Sequence, residues 1–458
     1  STAGLRWRRW PRHGSRGRRR GRIEGTRVRD RVAIVGGGWA GMAAAVTLAC
    51  AEQPVTVFEA AQVLGGRARR VVVDDRTVDN GQHILLGAYA QTLALLRTVH
   101  GERSEQLFDR RRLHLEEPGV FRFKTPALPA PWHLGVALLA MRGLSRHDRL
   151  ETVTFVRRLR RARFRCAPQL TVDALLTDQP ALAVKLLWEP LCLAALNTPV
   201  DAASAQIFLN LLRAGFALHA HDSDLLLPRV DLTALFPAAA AVHVAARAGE
   251  VRMGVTVTRI ATLGDSVAVA SEAGEERFAA AIIAVGPHQL AHVLAGSSAS
   301  AMAALDQVAA FTYEPIRTTY LQYGRALELS QPMLKLDSDP GQWLFDRGQL
   351  GGAPGLAAVV ISTDVAAARI DHDSLARAID AQLRRRAPDL PLPLWSQTIA
   401  ERRATYACMA GLARPAPGAL EGRLYLAGDY TDAEFPATLE AATRTGVAAA
   451  RQFLAAHP

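Results

Sequence analysis

The first regular pattern along the chain is "VAIVGGGWAGMAAAVTL", residues 32–48: a short apolar run, three glycines, then an alanine-rich stretch without proline. An apolar run closed by glycine predicts a buried strand at 32–35, and the stretch after it predicts a helix over 40–51. "PVTVFEAA" supplies a second buried strand at 55–58, ending in Glu59. Further on, "GEVRMGVTVTRI" (249–260) alternates apolar and polar positions as a strand does. "FAAAIIAVGPHQL" (278–290) predicts a buried strand broken at Gly286-Pro287. Strand, glycine and helix recur at 422–450, "GRLYLAGDYTDAEFPATLEAATRTGVAAA", with the strand at 424–427. Between these pieces the chain is leucine-rich and helical in spacing, with a proline-rich break at "KTPALPAPWHLG". Short buried strands alternating with helices predict an α/β fold carrying large insertions. The expected division is a basic tail at 1–30, a nucleotide domain in three parts (31–84, 241–290 and 404–458) and a substrate domain in two (85–240 and 291–403).

Three adjacent glycines cost backbone entropy, so their presence asks for bare backbone. Gly36-x-Gly38-x-x-Gly41 fits the dinucleotide-binding fingerprint, and it has the required context of strand before and helix after. Gly36 permits the tight turn, Gly38 lets a pyrophosphate approach the backbone, and Gly41 lets the helix pack on the strand. Trp39 and Ala40 open that helix, whose amino terminus supplies a positive dipole end. Glu59 lies 23 residues after Gly36, near the spacing of a carboxylate that binds a ribose hydroxyl.

Composition changes the picture in two places. At 458 residues and 49% hydrophobic content, the chain has room for two domains and a sizeable core. Its net charge of +11 suggests an anionic partner until the charge is located. Residues 1–31 hold twelve arginines against Glu24 and Asp30, so +10 of the +11 belongs to the tail. The body is then close to neutral, no basic stripe is expected on it, and nucleic acid is not an expected partner. The tail, with Trp7 and Trp10, reads either as an anchor for anionic lipid or nucleic acid or as an extension without packed structure. Cys50, Cys166, Cys192 and Cys408 are far apart and form no CxxC, which indicates neither a disulfide framework nor a zinc site and suits a reducing cytoplasm. No apolar run approaches the roughly 20 residues that span a bilayer.

Gly65-Gly66-Arg67, soon after Glu59, resembles the GGR segment of FAD enzymes of the amine oxidase and phytoene desaturase superfamily, although Val63 stands where Arg is common and Arg70 where Ser or Thr is common. Residues 422–450 resemble the carboxy-terminal FAD motif of the same superfamily. The resemblance implies FAD as cofactor and a Rossmann-like, glutathione-reductase-type nucleotide domain with an inserted, helix-rich α+β substrate domain. It also implies that Asp429, after Gly428, binds the ribityl and phosphate region. Thr438 and Leu439 would face the flavin ring, and Val257 the adenine. Three middle segments, "DNGQHILLGAYAQTLALLRTVHG" (79–101), "LWEPLCLAALNTPVDAASAQIFLNLLR" (187–213) and "SDLLLPRVDLTALFPAAA" (223–240), closely resemble the hydroxysqualene dehydroxylase family, from about Arg31 to the carboxy terminus. That resemblance implies FADH2-dependent reduction of hydroxysqualene to squalene on the bacterial route toward hopanoids. It also implies a peripheral place at the inner face of the cytoplasmic membrane and possible contact with the synthase enzymes upstream.

Loss of a hydroxyl as water needs an acid, and capture of the cation by hydride needs a dry site. Asp79 and His83, near Asn80 and Gln82 after the GGR segment, are the expected acids, because this neighbourhood approaches the flavin in the superfamily. Trp188, Phe208, Phe216 and Trp343 are candidates to line an apolar tunnel. His219, His221, Asp222 and Asp224 have a metal-like H-x-H-D-x-D spacing, but the flavin chemistry requires no metal and a solvated loop is the expected reading. A carotenoid-type polyene desaturase is the alternative function. An amine oxidase is disfavoured because no aromatic cage for an amine is found, and a binding protein built on the arginine tail is disfavoured by the neutral body.

Overall fold

The computed structural model describes residues 31–216, 219–294, 299–363 and 370–457. The basic tail at 1–30 lies outside the described residues. Among those described, the chain builds one six-stranded sheet in the order Glu250–Met253, Val55–Glu59, Val32–Val35, Ala280–Ile283, Leu424–Leu426, Gly418–Glu421. The first five strands run parallel and the last pairs antiparallel at the edge. Val32, Ala33 and Ile34 are fully buried. A parallel strand covered on both faces has no solvated side, which is why these segments read as unbroken apolar runs.

The helices Trp39–Cys50 and Leu439–Ala456 cover one face of this sheet and share a core with it. They approach unusually closely. A Cβ added at Gly446 would lie 2.1 Å from the Ala40 carbonyl oxygen, so only glycine fits there. The first and last parts of the sequence are therefore locked together around the glycine turn.

The other face packs on a three-stranded meander, where the Phe278 ring lies 5.8 Å from that of Phe58, in a core that continues into the second domain. The main sheet of that domain is antiparallel, in the order Met333–Lys335, Trp343–Asp346, Leu356–Ser362, Tyr313–Gln322, Trp395–Tyr406. The helix His372–Arg386 covers this sheet over an apolar core of its own. Helices including Arg146–Arg161 and Ala205–Phe216 complete the domain.

Three boundaries differ from the sequence reading. Residues 249–260 are two strands, not one: Glu250–Met253 joins the parallel sheet, and Val257–Leu263 starts a three-stranded meander. The turn at Gly254, with φ of +71°, separates them. The helix Ala90–His100, expected in the substrate domain, packs on the nucleotide core. Glu440 holds it there by accepting hydrogen bonds from the Gln91 and Thr92 amides at 3.0 and 2.9 Å. The expected boundary at 403/404 falls inside the strand Trp395–Tyr406, which pairs along its length with Tyr313–Gln322. Ladder hydrogen bonds, invisible in a local pattern, decide that case.

Candidate functional site

A single cavity of about 1140 Å³ touches both domains. Its walls come from the glycine turn and GGR segment (Gly36, Gly38, Trp39, Ala40, Gly65, Gly66, Arg67), from the strand ends Glu59 and Val257, and from Gly428, Asp429, Thr438 and Leu439. The remaining wall is largely apolar and includes Leu113, Leu115, Leu211, Leu212, Leu225, Met333, Phe345 and Val360. Of the predicted cofactor residues, Gly41 alone does not line the cavity. It packs beneath, where a Cβ would come within 1.9 Å of the Gly36 oxygen.

The polar part fits a dinucleotide by its own geometry. At Gly38 an added Cβ would meet nothing closer than 3.9 Å, so bare backbone faces open space that a side chain would fill. Gly36, at φ of +109°, makes the turn that sets this up. Glu59 braces the turn: Oε2 accepts the Gly37 amide at 2.7 Å and Oε1 accepts the Ala61 amide at 2.8 Å. Free lone pairs on both oxygens remain to receive ribose hydroxyls. Across the cavity, Arg67 pairs with Asp429 at 2.6 Å and donates to the Ala404 carbonyl at 3.0 Å. Thr438 caps the helix Leu439–Ala456, its Oγ1 accepting the Ala441 amide at 3.0 Å, and the positive end of that helix meets the cavity.

The two expected acids part company. Asp79 does not line the cavity. It ends the strand Arg76–Asp79, and its Oδ1 accepts the Leu232 amide at 2.8 Å. Burial pushes its carboxyl up to about 7, opposed by that hydrogen bond and by Arg347. Tyr320 Oη donates to the Asp79 carbonyl at 2.9 Å and receives Gln82 Nε2 at 2.7 Å. These bonds fix the strand end and project the next loop inward. His83 on that loop does line the cavity. Burial pushes its imidazole down to about 4. Nδ1 sits 3.3 Å from the Gly81 carbonyl, which can only accept, so Nδ1 carries the hydrogen and Nε2 of the neutral ring is left as an acceptor.

Phe208 and Trp343 line the cavity as expected, whereas Trp188 does not: it is buried edge-on between Phe155 and Phe208. The side chain of Phe216 lies outside those described. His219, His221 and Asp222 come together, with ligand atoms within 4.8 Å of one another, but Asp224 turns away to Arg110 at 3.6 Å. Asp222 instead caps its turn by accepting the His219 amide at 2.8 Å. Sequence reasoning missed Glu401, Arg403 and His288, which also line the cavity. Glu401 accepts from Asn80 Nδ2 at 3.0 Å, and Asn80 also donates to the Arg67 carbonyl. A charged run, "ERR" at 401–403, inside a strand was the available signal.

The sequence profile of flavin-containing amine oxidoreductases matches residues 39–454. The chain belongs to that family. This flavoprotein takes FAD, and the glycine turn, Glu59, Arg67 and Asp429 line the cavity as groups that could hold it. It is 29% identical to a hydroxysqualene dehydroxylase of Rhodopseudomonas palustris over 93% of this chain and 98% of the relative. It is 27% identical to one from Sinorhizobium fredii over 92% and 97%. A 15-cis-phytoene desaturase of Synechococcus elongatus is similar over 26% of the chain and 25% of its own length, at 36% identity. Among solved structures, cyclohexylamine oxidase from Brevibacterium oxydans superposes with a TM-score of 0.69 at 15% identity, covering 93% of this chain and 99% of that one. The shared fold is the FAD-binding domain with an inserted substrate domain.

Proposed function

We propose that this flavoprotein reduces hydroxysqualene to squalene. One observation carries the reading: the trough that fits a dinucleotide and the apolar chamber are a single cavity. A long hydrocarbon laid in the chamber reaches the flavin without crossing water. End-to-end similarity to two hydroxysqualene dehydroxylases supports the choice of substrate over other apolar molecules.

The reaction breaks the allylic C–O bond, forms a C–H bond at the same carbon and releases water. Bound in its reduced form, FAD supplies the hydride. The chain supplies the rest. Leu211, Leu212, Phe345 and their neighbours exclude the water that would recapture the cation. His83 on the cavity wall is suited to move the proton: neutral, it accepts the substrate hydroxyl's hydrogen bond at Nε2, and once it has taken up a proton from solvent there it donates that proton to the departing oxygen, which leaves as water. Asp79 takes no part in this exchange and acts by anchoring the loop. The setting is the inner face of the cytoplasmic membrane, where substrate arrives from lipid or from the upstream synthase, in squalene and hopanoid formation.

The test is anaerobic incubation of reduced protein with hydroxysqualene, beside oxidised protein with phytoene. Squalene from the first and unchanged phytoene from the second are expected. Desaturated polyene from the second, without squalene from the first, replaces this reading with that of a polyene desaturase.

A further inference from the structure

The helix Trp132–Ala140 buries His133, Leu134, Ala137 and Leu138 and turns Trp132, Val136 and Leu139 outward, 68%, 39% and 49% exposed. Spacings of four and three put these residues on one helical face. Scattered exposed apolar residues are ordinary, but a row headed by tryptophan, with exposed Leu128 just before it, marks an interaction surface.

Basic residues follow this row directly: Arg142 and Arg146, just past the helix, are exposed and have no ion-pair partner among the described residues. Arg149 Nη1 donates to the Leu139 carbonyl at 3.0 Å, so the helix Arg146–Arg161 starts where the apolar helix ends. Residues 110–165 contain fourteen Arg and Lys against four Asp and Glu. The near-neutral body therefore does carry a concentrated basic region, contrary to the expectation from its overall balance. Six exposed arginines lie between 157 and 165, and among the described residues only Arg158 of these has an ion-pair partner, Asp178. The end of the helix is also tied to the cavity wall through a strand pair. Leu115 lines the cavity and pairs with Phe123, and the neighbouring Arg122 bridges to Arg142 just past the apolar helix.

We propose that this face docks on an anionic lipid bilayer, with Trp132, Val136 and Leu139 inserted at the interface and the arginines against the headgroups. Unpaired cations beside a short apolar row are complementary to such a surface. At nine residues the helix lies in the interface and does not span, which takes about 20. The assignment deepens the reading of a lipid-borne substrate by naming the surface that meets the lipid.

The test uses the full-length holoprotein and vesicles of phosphatidylglycerol with phosphatidylcholine, or phosphatidylcholine alone, without substrate, so its outcome is independent of the reaction assigned above. Sedimentation with the anionic vesicles is expected to weaken at least about tenfold when Trp132, Val136 and Leu139 are all replaced by Ser. Flavin content and melting temperature, which report the fold, stay unchanged because these side chains are exposed. Brominated lipid is expected to quench a component of the tryptophan emission that disappears in Trp132→Phe. Equal vesicle binding by the triple variant, or the same quenching in Trp132→Phe, overturns the proposal and moves the contact elsewhere, including to the basic tail. Binding indifferent to phosphatidylglycerol overturns its electrostatic half.

Discussion

Glu59 commits both carboxylate oxygens to backbone amides, one to Gly37 of the glycine turn and one to Ala61, while facing the cavity. In Glu59→Gln one of those oxygens becomes an NH2 group, which cannot accept an amide hydrogen. The loss of a charge-assisted hydrogen bond is worth roughly 1.5–3 kcal/mol. A lower flavin-to-protein ratio after dialysis is expected, and full retention counts against Glu59 as a cofactor residue. Asp79 makes a prediction of a different kind. Its folded-state carboxyl is raised from the ordinary value to about 7, chiefly by burial. Its protonated form is thus favoured by folding, and the stability it contributes is present below about pH 4 and lost as pH rises through 7. Asp79→Asn keeps an acceptor for the Leu232 amide and removes the ionisation. Denaturant unfolding should show the variant more stable than the parent at pH 8, by up to about 4 kcal/mol, with little difference at pH 4. For His83 the sign is set by a value lowered to about 4 by burial. Imidazolium is scarce at neutral pH and gains about tenfold per unit as pH falls toward 4. Single-turnover flavin reoxidation should accelerate with acid accordingly, and His83→Gln should flatten that slope while keeping its flavin. A slope that survives in His83→Gln assigns the proton to another group.

At the scale of elements, the contact of Trp39–Cys50 with Leu439–Ala456 is the most demanding. Gly446→Val would place Cβ on the Ala40 carbonyl and press on Ala43, forcing apart the helices that carry the glycine turn and Thr438. A loss of about 2 kcal/mol or more in chain stability, with weakened flavin retention, is expected from calorimetry and flavin release. A variant as stable as its parent would mean the helices can slide. The nucleotide elements were legible in the sequence because each is an apolar run covered on both faces and closed by glycine. The helix at 39–50 and the strands at 32–35, 55–59 and 424–426 fall within a residue or two of expectation. The split at Gly254 was not legible, because period-two alternation continues across the turn. Nor was the attachment of Ala90–His100, which depends on Glu440, 348 residues away from Thr92.

For the molecule as a whole, motifs located the cofactor trough but not the polar groups opposite it. Glu401, Arg403 and His288 reach the cavity through sheet pairing and a turn, and no local pattern assigns them a partner. Asp79 and His83 are four residues apart and looked equivalent on paper. Tyr320, from a strand more than two hundred residues later, ties the chain between them, leaving Asp79 in the core and His83 in the cavity. The joining of trough and apolar chamber is likewise a property of two domains in contact. On the function proposed above, that junction lets hydride pass from flavin to carbon with water excluded. The measurement that tests it most directly is anaerobic single turnover of fully reduced protein with one equivalent of hydroxysqualene, following flavin absorbance and quantifying hydrocarbon at the same time points. The account predicts one squalene formed per flavin reoxidised, with matching time courses. Flavin that stays reduced while hydroxysqualene persists, or that reoxidises without squalene, would contradict it.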